Sequence, residues 1–299
     1  MRAIQRHRTV AFSGSDFMKR LDIPTERGTV LTGVLFPAEG ADTVVIAITG
    51  IHGNFYSNPF YYNIGDTLNS GGIDFIYAQT NDAFGEIETY NVKTGKEEII
   101  GSWNERFSYT DEDIAAYLDF AAKNYKHVIL AGHSLGANKI IHYLSTHHDK
   151  NLPEHFMLLS PANLTYMMKD VTAREKDIIR KMIDYGKGAS MLPFYFMGWV
   201  VCTADTANDW LSGTLNNVHV GDGDFSQVEQ ITHTGALVIG TYDNFTCGNP
   251  SEFLKNINNH MPTATKNKLI FIEKTGHTYQ QKEQEIADII LKTVQEFNR

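Results

Sequence analysis

The run Gly132-His133-Ser134-Leu135-Gly136 follows an apolar, β-like stretch, His127-Val128-Ile129-Leu130-Ala131, and a helical pattern starts directly behind it. The five residues read G-x-S-x-G. A serine on a sharp strand-to-helix turn carries its hydroxyl clear of the sheet, and the flanking glycines let the backbone turn without a Cβ clash. The N–H groups at the start of the following helix face any negative charge that develops there. The stretch therefore predicts a serine nucleophile at a strand end. His133 reads as a neighbour that packs or hydrogen-bonds locally, not as a second base.

A serine hydroxyl is a weak nucleophile at its own pKa, so it needs a base and a carboxylate that orients the base. Two later stretches supply candidates. Ala236-Leu237-Val238-Ile239-Gly240 reads as a buried strand, and Thr241-Tyr242-Asp243-Asn244 leaves it as a turn. Lys268-Leu269-Ile270-Phe271-Ile272 is a second apolar run, and Glu273-Lys274-Thr275-Gly276-His277 leads from it into an amphipathic helix. Asp243 and His277 are thus expected at strand ends, in the order acid then histidine. Asp222 and Asp224, in a Gly-Asp-Gly-Asp loop, are rival acids. The chain has twelve histidines, so the placement of His277 after an apolar run carries more weight than its identity.

These stretches together resemble the α/β-hydrolase family, from about Thr43 to the C-terminus, in the branch that includes feruloyl and cinnamoyl esterases. The resemblance implies Ser134 as nucleophile, Asp243 as acid and His277 as general base. Thr49-Gly50-Ile51-His52-Gly53-Asn54 is similar to that branch's H-G-F-T-G-N run, with Thr49 where many relatives carry His. In one register the oxyanion hole uses the backbone N–H groups of Ile51 and Leu135. In the other, Asn54 replaces Ile51. The first is preferred because the strand Val44 to Ile48 then ends directly before the turn. His52 is either a substrate contact or an ordinary loop residue. The implied chemistry is hydrolysis of a carboxylic ester, thioester or amide through an acyl-enzyme, on a small-molecule acyl substrate, with no cofactor and no metal. Release of an acyl chain from a carrier protein, by a thioesterase or cyclase, uses the same residues. A non-catalytic binding protein on the same scaffold is the reading from a different class.

The rest of the chain sets these residues in an α/β framework. Val30 to Phe36 reads as a strand paired with a preceding one, and Thr43 to Ile48 as a strand buried on both faces. Asn58-Pro59 opens a helix that Gly71-Gly72 ends, and Asp74 to Gln79 is the next strand. Thr80 to Tyr109 is too long for a plain connection and predicts a hairpin or an active-site loop. Thr110, with Asp113 three positions on, reads as the N-cap of the next helix. His155 to Ser160 is a further strand, and Gln280 to Phe297 a closing helix. The alternation predicts a mostly parallel central sheet with helices on both faces. It breaks between residues 162 and 232, which predicts an inserted helical cap or lid between the core segments 1–161 and 233–299. Phe194, Phe196 and Trp199 of that insertion are either substrate contacts or the insertion's own core.

Composition narrows the classes. At 299 residues with 42% hydrophobic content, one large α/β domain with an insertion is expected. A formal net charge of −9 argues against a general nucleic-acid binder. Cys202 and Cys247 are too few for a disulfide framework or an unaided zinc site. Cys202, in an apolar stretch, reads as a buried small hydrophobe. The start, Met1 to Arg8, has the charge of a signal peptide without its apolar run, and no stretch reaches membrane-spanning length. A cytoplasmic protein is the expectation; composition is silent on oligomeric state.

Overall fold

Strands covered on both faces need continuous apolar runs, and these runs form the centre of the sheet. The computed structural model describes residues 18–148 and 153–298; the basic run Met1 to Arg8 lies outside them. In chain order the elements are β1 (Lys19–Pro24), β2 (Val30–Phe36), β3 (Thr43–Ile48), α1 (Phe60–Ser70), β4 (Asp74–Ala78), β5 (Ile87–Asn91), β6 (Lys96–Ile100), α2 (Thr110–Asn124), β7 (His127–His133), α3 (Leu135–Thr146), β8 (His155–Leu159), α4 (Leu164–Met167), α5 (Ala173–Asp184), α6 (Ala204–Leu211), β9 (Thr234–Gly240), α7 (Pro250–Asn259), β10 (Lys268–Ile272) and α8 (Glu283–Phe297).

Eight strands form one sheet in the order β1-β2-β4-β3-β7-β8-β9-β10. β1 runs antiparallel to β2 and β2 antiparallel to β4; every other pairing is parallel. Two apolar layers flank it. One, under α2, α3 and α7, centres on Ile46, Leu130, Ile140 and Leu254. The other, under α1 and α8, centres on Val45, Tyr61, Ile129 and Ile290. All the parallel strands end at one edge, where an open α/β sheet presents its functional loops.

The Thr80 to Tyr109 excursion contains the hairpin β5–β6, which pairs Ile87 with Ile100 and Asn91 with Lys96. The cap expected at Thr110 is not made. A 3-10 turn, Phe107–Tyr109, runs directly into α2, so Thr110 is already helical and its hydroxyl is buried without a partner among the described residues. Asp113 is drawn instead to the Asn81 N–H at 3.0 Å and to Arg27 at 2.7 Å. Between β8 and β9 the described structure is α4, α5, α6 and connecting turns. These pack around a third apolar cluster that contains Phe196, Val200 and Trp210 together with Leu135 and Phe107. α5 starts with a full capping box, Thr172 and Glu175 satisfying each other's backbone N–H.

Candidate active site

Ser134 sits between β7 and α3 with φ 56° and ψ −128°, a left-handed backbone that a side-chain-bearing residue adopts only under constraint. The constraint is mutual packing of strand and helix. A Cβ on Gly132 would lie 2.4 Å from the Gly136 carbonyl oxygen, and one on Gly136 would lie 2.3 Å from that of Ile48. Both glycines are therefore needed for α3 to start this close to β7 and β3. The Ser134 N–H donates to Leu159 O at 3.0 Å, which ties the turn to β8.

The loop after β3 lies against this turn. A Cβ on Gly50 would be 2.9 Å from the Ser134 Cβ and 3.2 Å from the Leu135 nitrogen. The N–H groups of Ile51 and Leu135 have no acceptor among the described residues. The Asn54 N–H is engaged, with Ser57 Oγ at 2.9 Å and His52 O at 3.0 Å. His52, at φ 57°, donates its N–H to Asp82 O at 2.9 Å. Its Nε2 is hydrogen-bonded to Ser102 Oγ at 2.7 Å, and its ring meets Trp199 edge-on at 5.6 Å. Thr49, in the position where a histidine was the comparison, is buried with its hydroxyl unpartnered among the described residues.

The turn after β9 and the loop after β10 bring Asp243 to His277. Asp243 Oδ2 is 2.9 Å from His277 Nδ1, and Oδ1 accepts the Phe245 N–H at 2.9 Å. The Asp243 side chain is fully buried and that of His277 is 11% exposed. A carboxylate only accepts, so the pairing puts the hydrogen on Nδ1 and leaves a lone pair on Nε2. Asp222 and Asp224 stand on an exposed loop and make no contact with His277. Ser134 and His277 line one cavity of about 340 Å³, with Ile51, His52, Trp199 and Phe245 among its other walls.

The aromatics of the segment between β8 and β9 separate by environment. Trp199 is 45% exposed and borders the cavity. Phe196 is wholly buried against Trp210, and Phe194 is partly buried against the same cluster. Neither phenylalanine is among the walls of that cavity; both pack into the third apolar cluster. Cys202 is buried, and burial pushes its thiol up to about 12.

Three features go beyond what the sequence indicated. His133 is buried beside His277, and its Nε2 donates to the His277 carbonyl at 2.7 Å. Burial first, then the neighbouring imidazole, lowers its pKa to about 3. Lys139, on α3, is buried and meets Asp82 at 2.7 Å and Glu105 at 2.8 Å. Burial works against the ammonium, but the two carboxylates outweigh it and raise its pKa; burial raises that of Glu105. Ser102, the partner of His52, comes from the segment after β6. The one sequence signal was Lys139, set directly before Ile140 and Ile141 in the helical pattern behind Ser134. Among the described residues no group of His, Cys, Asp or Glu is placed to hold a metal ion, and no helix is long and apolar enough to cross a membrane.

A mostly parallel eight-stranded sheet, helices on both faces and a serine turn at the strand ends define the α/β-hydrolase fold. Within that class, the chain belongs to the family described as "Protein of unknown function (DUF1749)", whose model matches residues 31–232. No curated protein matches it in sequence. Among solved structures it is similar to Est1E from Butyrivibrio proteoclasticus, at TM-score 0.62 and 16% identity over 93% of this chain and 98% of that one. It is likewise similar to the α/β hydrolase GrgF from Penicillium sp. sh18, at TM-score 0.66 and 16% identity over 94% and 97%. A Pyrococcus furiosus esterase aligns at TM-score 0.58 and 17% identity over 94% and 91%. At these identities the likeness establishes the fold.

Proposed function

We propose that the protein is a serine hydrolase that cleaves a carboxylic ester of a small-molecule substrate through an acyl-enzyme. The observation that carries this reading is the buried Asp243–His277 hydrogen bond, whose imidazole opens on the same cavity as Ser134. His277 takes the Ser134 proton, and the serine oxygen attacks the carbonyl carbon. The N–H groups of Ile51 and Leu135 receive the oxyanion; both lack acceptors, whereas that of Asn54 is engaged. One such donor contributes about 2.7–4 kcal/mol to the transition state in comparable sites. His277 then protonates the departing alcohol, and water repeats the cycle on the acyl-enzyme. Asp243 holds the ring in the tautomer this requires. Residues 162–232 form the cap, and Trp199 is its contribution to the cavity wall. That esterases share the fold adds support of a general kind.

A fluorophosphonate probe tests the reading, because it phosphonylates an activated serine. The expected result is labelling of the protein and hydrolysis of p-nitrophenyl acetate, both abolished in Ser134→Ala. Absence of labelling and of hydrolysis in the unmodified protein would leave a binding role on this scaffold instead.

A further inference from the structure

A second cavity, of about 610 Å³, opens beyond the one that holds Ser134. The two share His52 and Trp199, whose rings meet edge-on at 5.6 Å, so the cavities adjoin at this pair. Four of the large apolar side chains that the molecule leaves exposed gather around this second space: Ile99 of the hairpin, and Met191, Trp199 and Val201 of the insertion, each between 43% and 52% exposed. Folding leaves apolar side chains of this size clustered at a surface mainly where something else covers them. Glu86 is the one charged residue among the lining.

We propose that this cavity is the acyl subsite, and that the substrate is an ester of a large, uncharged apolar acid. The proposal rests on the hydrolase reading above for which arm of the ester enters. The leaving oxygen must face His277 to be protonated. His277 lines the Ser134 cavity and is not among the residues that line the second. The arm that extends the opposite way, past His52 and Trp199, is therefore the acyl arm. A cavity of about 150 Å³ lined by aliphatic and aromatic side chains holds a benzene ring, so the second cavity has room for a medium-length alkyl chain or an arylalkenyl group. Glu86 at the rim repels an arm that ends in a carboxylate. The sites also fit mechanically: His52 is held toward the hairpin by Ser102, so its ring forms a fixed edge of the passage.

The test is to fill the space. Val201→Trp adds an indole to an already exposed position. The ratio of kcat/KM for p-nitrophenyl decanoate to that for p-nitrophenyl acetate is expected to fall at least tenfold; a ratio unchanged within twofold overturns the proposal. In the unmodified protein a ten-carbon arm ending in a carboxylate is expected to react more slowly than the methyl-ended arm, and Glu86→Gln to narrow that gap. A preference for the carboxylate-ended arm overturns the uncharged class. Should the protein neither hydrolyse esters nor take the fluorophosphonate, the hydrolase reading fails by itself. Calorimetry of decanoate with Ser134→Ala then decides the cavity: binding weakened at least fivefold by Val201→Trp supports it, and no binding, or binding that Val201→Trp leaves intact, overturns it.

Discussion

His133 precedes the serine, and its ring packs against Phe60 and Tyr279, 4.9 Å from the His277 ring. There it donates to the His277 carbonyl, so it fixes the backbone of the proposed base without touching a reacting atom. Burial, and then the neighbouring His277 imidazole, keep the ring neutral by lowering its pKa to about 3, although the bond to the carbonyl by itself favours the protonated form. Its folded pKa is depressed below the ordinary histidine value of about 6.5, so between those two values the unfolded chain binds a proton that the folded protein refuses. Stability must then fall as pH drops through that window. His133→Gln keeps an amide donor and removes the titration. Denaturation midpoints measured from pH 7 to pH 4 should decline less steeply in the variant, and parallel declines would remove His133 from the account. The motif made Ser134 legible because a strand, a glycine-flanked serine and a helix are contiguous in sequence. The partner of His133 lies far along the chain, and no local pattern announces a buried side chain that reaches a backbone carbonyl.

At the scale of elements, the two proposed oxyanion donors belong to different pieces of chain, the loop after β3 and the start of α3. Their spacing is set by close contact at Gly50 and by a polar strut. Lys139 projects from α3 to the Asp82 carboxylate, and the Asp82 carbonyl accepts the His52 N–H. Glu105, from the segment after β6, closes the cluster at 2.8 Å. Removing the cation strands two buried carboxylates, an arrangement that typically costs about 3–5 kcal/mol. Lys139→Met is therefore expected to lower the urea-unfolding free energy by about that amount and to reduce kcat for ester hydrolysis in the protein that remains folded. A variant with undiminished stability would mean that the cluster sheds its charge without penalty. Periodicity located the elements but not this strut. A lysine in an apolar helix reads as an irregularity until the chain that neutralises it is known, and Asp82 and Glu105 sat in a stretch readable only as a polar excursion. The hairpin within it was legible by length; its service to the site depends on tertiary contacts, as does the uncapped start of α2.

Across the whole molecule, the central sheet carries the proposed chemistry while the segment between β8 and β9, the proposed insertion, supplies one wall. The join is a turn in which Phe196 and Val200 bond to each other across the backbone, at 2.8 and 2.9 Å, and bury their side chains. Trp199, one residue before Val200, is thereby left facing outward against His52. The sequence offered four aromatics within six residues, Phe194 to Trp199, and no means of telling anchor from display, since the alternation that sorts inside from outside on a strand or helix is absent in an irregular segment. If Phe196 is the anchor, its loss should loosen the insertion and spare the sheet. Phe196→Ala removes a wholly buried ring, a change that costs roughly 3–5 kcal/mol in well-packed interiors, and the cost should fall on the cluster around Trp210. Hydrogen exchange is then expected to accelerate across residues 190–210 while the amides of β3, β7 and β8 keep their protection, with KM for long-chain esters rising more than kcat falls. Leu135 shares that cluster, so the opposite result has a definite meaning: uniform acceleration across the sheet would show that insertion and core unfold as one unit, with Trp199 a fixed part of the wall.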